Sequence, residues 1–224
     1  MNAEQIKAVV LNRYRTGRRI DRNAILASEY KIGGSPVRAD LAVLAGRFIG
    51  IEVKSEADTL RRLPAQIEGY RSCFDEIIVV AASRHVSRLL TMGLADVSLW
   101  EVTEQSTLRI VTPAREPTLA CDRDFRALLT ETERRRLKAH KGNDRDRFLA
   151  SFRNRFESTS KDFWRRVGPR PINAEDLQTL SRFRERRLAI KSWRAERDRR
   201  WQDWCQAAQS SHASSVSYLP GASS

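Results

Sequence analysis

Apolar positions recur along this chain with two periods, and each change of period marks an element. Residues 3–15 place Ile6, Val9, Val10 and Tyr14 on one helical stripe that Gly17 ends. Asp21 is the expected N-cap of a second helix running through Ala24, Ile25, Leu26 and Ala27 to about Tyr30, with Glu29 near its end. Gly33-Gly34-Ser35-Pro36 then breaks the chain. Residues 38–55 switch to a period of two. One strand carries Ala39, Leu41 and Val43 on one side and Asp40 on the other; the next carries Ile49, Ile51 and Val53 on one side, Glu52 and Lys54 on the other. Asp40 and Glu52 are equidistant from Gly46, as are Leu41 with Ile51 and Val43 with Ile49, so one hairpin register pairs apolar with apolar and acid with acid. That register needs a loop of Ala45-Gly46-Arg47, with glycine free to turn left-handed.

Downstream, Leu60, Leu63, Ile67, Tyr70 and Phe74 return to helical spacing, and Pro64 confines the regular helix to about Leu63–Cys73. Ile77-Ile78-Val79-Val80-Ala81-Ala82 is a continuous apolar run, expected as a strand buried on both faces and parallel to its partner. A short helix over 85–92 and strands near 97–102 and 107–112 complete an α/β sandwich, and Pro113 and Pro117 mark a boundary. Beyond it the pattern is helical and arginine-rich. One helix is expected from Asp122 to Gly142, a second over 144–157, a short one ending at Gly168, and a long one from Asn173 to about Gln209. The organisation expected is thus a domain over 1–117, a basic all-α extension over 118–209 and a disordered tail over 210–224.

Charge sharpens that division. Residues 1–120 hold 17 Lys and Arg against 14 Asp and Glu, and the remainder holds 24 against 14, so net charges of +3 and +10 make up the total of +13. Such asymmetry points to a polyanionic partner, nucleic acid before membrane. Trp164, Trp193, Trp201 and Trp204 lie among those arginines. Packing of the helices against the domain is the preferred role for them, and stacking on exposed bases the other. The long helix keeps no strict heptad, which leaves homodimerisation through it open but not favoured. Cys73, Cys121 and Cys205 are odd in number and widely spaced, and His85, His140 and His212 are equally scattered, supporting neither a disulfide framework nor a zinc site. No signal-peptide pattern and no long apolar run is present, so a cytoplasmic protein is expected.

Chemistry concentrates in the hairpin. Neighbouring strands lie about 4.8 Å apart, so the Asp40 and Glu52 carboxylates can share one cation. Lys54 stands roughly 6.6 Å further along the same face, within reach of a phosphate held there. A solvated charge ladder on an exposed sheet face is the alternative.

Asp40 followed by Glu52-Val53-Lys54 on the next strand resembles the signature of the PD-(D/E)XK, restriction-endonuclease-like nuclease superfamily. Gln66 and Tyr70, a helical turn apart just after the lysine strand, resemble the QxxxY element of its RecB-like branch. The stretches RADLAVL, GIEVKSEADTLRRLPAQIEGY and FDEIIVVAASRH are similar to the bacterial and phage proteins of the sce family, over about residues 25–112. The residue before Asp40 is Ala39, where the superfamily's nominal motif has proline.

The resemblance implies an αβββαβ core with a central mixed sheet, and hydrolysis of DNA with Mg²⁺ or Mn²⁺. It implies Asp40, Glu52 and the Val53 carbonyl as metal ligands, Lys54 as the group orienting water or phosphate, and Gln66 and Tyr70 as lining residues. Glu29 is the candidate acid of the first core helix, for a second metal, with an exposed helix-end glutamate as the plain alternative. Arg38, Arg61 and Arg62 are candidate phosphate contacts, and Asp58 either belongs to this motif or caps a helix. The function expected is a metal-dependent deoxyribonuclease in repair, restriction or phage DNA processing; the rival is a nucleic-acid-binding protein that does not cut.

Overall fold

The computed structural model describes residues 1–113, 123–138, 142–180 and 192–205. Its elements run α1 (Ala3–Thr16), β1 (Ile25–Lys31), β2 (Arg38–Ala45), β3 (Arg47–Lys54), α2 (Leu63–Arg71), β4 (Glu76–Ala82), α3 (Ser83–Leu90), β5 (Ser98–Val102), β6 (Leu108–Thr112), α4 (Glu131–Arg136) and α5 (Asp144–Val167), then a 3₁₀ turn, Ala174–Leu180. The six strands form one mixed sheet in chain order. β1, β2 and β3 are antiparallel, β3, β4 and β5 parallel, and β6 closes the sheet antiparallel to β5. The parallel β3–β4 step is spanned by α2, as the uninterrupted apolar β4 requires, and all seven residues of β4 are buried.

The β2–β3 hairpin has the register expected: Leu41 faces Ile51 and Val43 faces Ile49, and Gly46 turns the chain with φ 75°. Helices cover both faces. α1 packs Ile6, Val10, Leu11 and Tyr14 on one face, against Leu41, Val43, Ile49, Ile51 and Val53. On the other, Leu63, Ile67 and Tyr70 of α2 join Phe48, Phe74 and Val79. Gly50 is needed there because a Cβ would lie 2.4 Å from the Phe74 ring.

Residues 24–30 correct the helical expectation. Ile25–Lys31 is strand β1, paired with β2. A short apolar run bounded by polar residues fits either state locally, and the open edge of β2 decides it. β1 also slips in phase. Ile25 and Ala27 face the α2-side core, and so do Tyr30 and Ile32, so strict alternation is lost between them. Glu29 takes up the slip with φ 56°, a left-handed conformation uncommon outside glycine. β2 slips at the same level, because Ala42 and Leu44 share that core with Ala39, which was expected on the side of Leu41 and Val43.

The expected boundary at 117/118 gives way to one further on, since the first compact unit is Met1–Arg182. α5 is the reason: one helix over the ranges expected for two, capped by Asn143 and ended by Gly168. Its first half puts Phe148, Phe152 and Phe156 into the α2-side core, and its second puts Phe163, Trp164 and Val167 into the α1-side core, so it wraps the edge of β1. Ser160 Oγ accepts from Leu26 N at 2.8 Å and donates to Leu26 O at 3.1 Å, and Trp164 Nε1 donates to Ala24 O at 2.9 Å. Backbone groups that an edge strand would leave to water are thereby satisfied.

The helix expected from Asp122 to Gly142 is described only in part, as α4; the helix expected from Asn173 begins as the 3₁₀ turn, and residues 192–205 are helical. The positions between them and the tail beyond 205 lie outside the described residues. Trp164 packs in the core, whereas Trp193, Trp201 and Trp204 are exposed. Among the described residues no helix is long and apolar enough to cross a membrane.

Candidate active site

Asp40 sits one step beyond the Leu41–Ile51 pair, which places it opposite Glu52. Its Oδ2 accepts from Val53 N at 2.7 Å, so the carboxylate continues the ladder where backbone pairing stops. Glu52 and Lys54 point to the α2 face and are buried, at 2% and 5% exposure, while Asp40 and Gln66 are half-buried. The Glu52 carboxylate is the hub. Its Oε1 accepts from Lys54 Nζ at 2.8 Å and from Gln66 Nε2 at 2.6 Å, and its Oε2 accepts from Tyr70 Oη at 2.5 Å. Lys54 Nζ also donates to Gln66 Oε1 at 2.9 Å, closing a ring of three side chains.

Four-residue spacing on α2 explains why Gln66 and Tyr70 arrive together, one turn apart on the face that covers β3. The Tyr70 ring is fully buried against Phe74, and its hydroxyl reaches the hub. Burial pushes its phenol well above the usual range, and the charges of Glu52 and Asp40 add to this.

Asp40 is pushed up to about 7, chiefly by burial and then by the charge of Glu52; Lys7 and the Val53 N–H pull the other way. Lys54 pairs with Glu52, but Lys7 and the Val53 N–H only partly offset the burial and like charge that bear on Asp40. That is the electrostatic condition a hard divalent cation relieves, and Mg²⁺ is commonly held by one or two carboxylates with its remaining positions in water. The pair of acidic oxygens and a neighbouring carbonyl therefore fits such an ion by donor chemistry. Among the described residues no three acidic, histidine or cysteine side chains form a ready cage.

Glu29 does not sit on the first helix but on β1, at the position facing Asp40 between the Ser28–Leu41 and Tyr30–Ala39 pairs. Its carboxylate is engaged by Lys7 Nζ at 3.2 Å and Arg38 Nη1 at 3.6 Å. The acid on the first helix is Glu4, which also binds Lys7, at 2.8 Å.

Lys7 is the residue that sequence reasoning passed over. It is buried to 1% exposure, and although burial pulls its pKa down, Asp40, Glu4 and Glu29 outweigh that and leave it raised. The signal available was a lysine one position from Ile6 on the apolar stripe of α1.

Arg38, Arg61 and Arg62 are all exposed, the first at the start of β2 and the others just before α2. Asp58 caps a turn: its Oδ2 accepts from Ser55 N at 2.8 Å and from Ser55 Oγ at 2.5 Å. Burial opposes it, yet these bonds hold the Asp58 carboxyl below its usual range. Buried His85 meets the Ser55 carbonyl through Nε2 at 3.0 Å, which braces the strand end carrying Lys54.

With this geometry in place, comparison with known proteins adds the lineage. A profile described as bacteriophage P4 protein cII matches residues 1–147. The chain belongs to the bacteriophage P4 protein cII family. Protein cII of Enterobacteria phage P4 is 24% identical to it over 194 residues, covering 75% of this chain and 74% of that protein. Among solved structures, a protein of unknown function from Silicibacter pomeroyi aligns with a TM-score of 0.41 and 21% identity, over 63% of this chain and 92% of that one. The region matching the P4 cII family runs from α1 into the first turn of α5, so it spans Lys7, Glu29, Asp40, Glu52, Lys54, Gln66 and Tyr70.

Proposed function

We propose that this chain is a divalent-metal-dependent nuclease that hydrolyses DNA phosphodiester bonds, built on a restriction-endonuclease-like core and acting in the cytoplasm in repair, restriction or phage DNA processing. The observation that carries the reading is the buried Glu52 hub, tied at once to Lys54, Gln66 and Tyr70 and lying across the hairpin from Asp40. The element order α1-β1-β2-β3-α2-β4 supports it, being the αβββαβ order that the sequence resemblance implies.

Asp40, Glu52 and the Val53 carbonyl would hold Mg²⁺ or Mn²⁺. Such an ion supplies Lewis-acid charge and lowers the pKa of its water, the two things phosphodiester hydrolysis needs at neutral pH. Tyr70 fixes the rotamer of Glu52 and keeps one oxygen oriented. Gln66 holds both Glu52 and Lys54, so the ammonium is positioned before a phosphate arrives. Lys54 then orients the attacking water or the scissile phosphate as a fixed positive charge. Substrate would approach past half-buried Asp40 and Gln66, with Arg38, Arg61 and Arg62 gripping the flanking backbone.

Plasmid, linear and single-stranded DNA incubated with Mg²⁺ or Mn²⁺, using wild type, Glu52→Ala and Lys54→Ala, test this directly. Metal-dependent cleavage lost in both variants is expected; survival of every substrate, or equal cutting by the variants, refutes it.

One observation favours the non-cleaving alternative: Glu52 and Lys54 are nearly inaccessible and already satisfy each other. In that case the protein would bind nucleic acid through its basic surface alone, and a gel shift in EDTA that weakens steeply with salt, without cleavage in metal, would identify it.

A further inference from the structure

The acidic groups of this site form a row across three strands. Glu29 of β1 falls between the Ser28–Leu41 and Tyr30–Ala39 pairs, level with Asp40 of β2, and Asp40 lies one step beyond the Leu41–Ile51 pair, beside Glu52 of β3. β1 and β2 both lose their alternation here, and Glu29 is held left-handed to do so. A non-glycine residue in that conformation persists only where its surroundings over-determine it. The Glu29 carboxylate is held by Lys7. The α1 ammonium is buried to 1% exposure, bridges Glu29 at 3.2 Å and Glu4 at 2.8 Å, and adds its positive charge to the environment of Asp40 from the face opposite α2. The row therefore carries a cation at each end: Lys54 beside Glu52, and Lys7 beside Glu29.

We propose that Lys7 is a built-in cation that occupies the Glu29 end of the acidic row, so that the site takes one divalent metal ion, at Asp40 and Glu52, and excludes a second. This rests on the reading of Asp40 and Glu52 as metal ligands. The physical ground is repulsion: a dication at Glu29 would lie within ion-pair distance of a buried ammonium that has no solvent to retreat into. Arg38, 3.6 Å from the other Glu29 oxygen, reinforces the exclusion from the surface side. Lys7 is a positioning residue here, since it acts through the carboxylates and touches no reacting group.

Mn²⁺ titration of the full chain, followed by electron paramagnetic resonance of the free ion and by calorimetry, reads the stoichiometry without reference to activity. Thermal melts of the metal-free proteins establish that each variant is folded. One Mn²⁺ is expected on wild type and two on Lys7→Met, with the added ion lost again in the Lys7→Met/Glu29→Gln double variant. Two ions on wild type, or one ion bound with equal affinity by wild type and Lys7→Met, overturns the inference while leaving the metal reading intact. No Mn²⁺ on either protein overturns both. If Lys7→Met does not fold, Glu29→Gln decides: one ion at unchanged affinity upholds the inference, and loss of that ion, which would make Glu29 a ligand, overturns it.

Discussion

Tyr70 and Glu52, eighteen positions apart in the chain, are joined by a 2.5 Å hydrogen bond from a fully buried hydroxyl to a buried carboxylate oxygen. The bond links the α2 layer to the sheet. Tyr70→Phe keeps the ring packing on Phe74 and leaves Glu52 Oε2 without its donor. A loss of about 1–3 kcal/mol in chemical denaturation is expected, the usual cost of an unsatisfied buried acceptor. Wild-type stability in this variant would show that the bond contributes nothing.

The elevated Asp40 sets a pH dependence with a definite sign. Its folded pKa of about 7 lies above the unfolded value near 4, so between those limits the native state binds more protons than the unfolded chain. Stability in EDTA should therefore fall as pH rises from about 4 to about 7 through this group. Asp40→Asn removes the carboxyl, and its melting temperature should exceed that of wild type at pH 8 while converging with it near pH 4. No change in the difference between the two proteins from pH 4 to pH 8 would mean that Asp40 ionises freely in the fold.

Gly50 faces the Phe74 ring, where an added methyl would meet three ring carbons between 2.4 and 2.7 Å. Phe74 is itself wedged against Phe48, Tyr30 and Tyr70, so it has nowhere to go. Gly50→Ala should cost about 1–3 kcal/mol, as overpacked cores do, measured as a drop in the urea midpoint.

Ser160 closes the β1 edge by bonding both backbone groups of Leu26. Ser160→Ala should speed hydrogen exchange at the Leu26 amide selectively and cost about 1 kcal/mol overall. Exchange at Leu26 unchanged from wild type would show the edge to be protected by other means.

Truncation separates the compact units. A chain ending at Arg182 retains α5 and every core aromatic it contributes, and should still melt cooperatively. One ending before residue 123 strips Phe148, Phe152, Phe156, Phe163 and Trp164 from both cores and should show no cooperative transition by calorimetry.

Much of the site was legible because strand alternation and helix spacing are local properties. Asp40, Glu52 and Lys54 read out of a period of two, and Gln66 with Tyr70 out of a four-residue step, and the structure brings all five together. Lys7 was not legible. A single lysine beside an apolar stripe is ordinarily a solvated or snorkelling side chain, and only its burial under β1 and β2 makes it part of the site. Glu29 was noticed for its charge but given the wrong element, because Ala24-Ile25-Leu26-Ala27 suits a helix or a strand equally until a pairing edge is available.

By itself the sequence determined the hairpin register, the buried parallel strand β4, the α2 face and the hub residues, since each follows from which side of a repeating backbone a residue must occupy. Only the tertiary structure decided that residues 25–31 form a strand, that α5 wraps the sheet edge rather than standing apart, and that an ammonium from α1 sits against the Glu29–Asp40 end of the row. Those outcomes depend on contacts between segments as far as 140 positions apart, such as Ala24 with Trp164, and no local period encodes which distant surface will cover an edge or neutralise a charge.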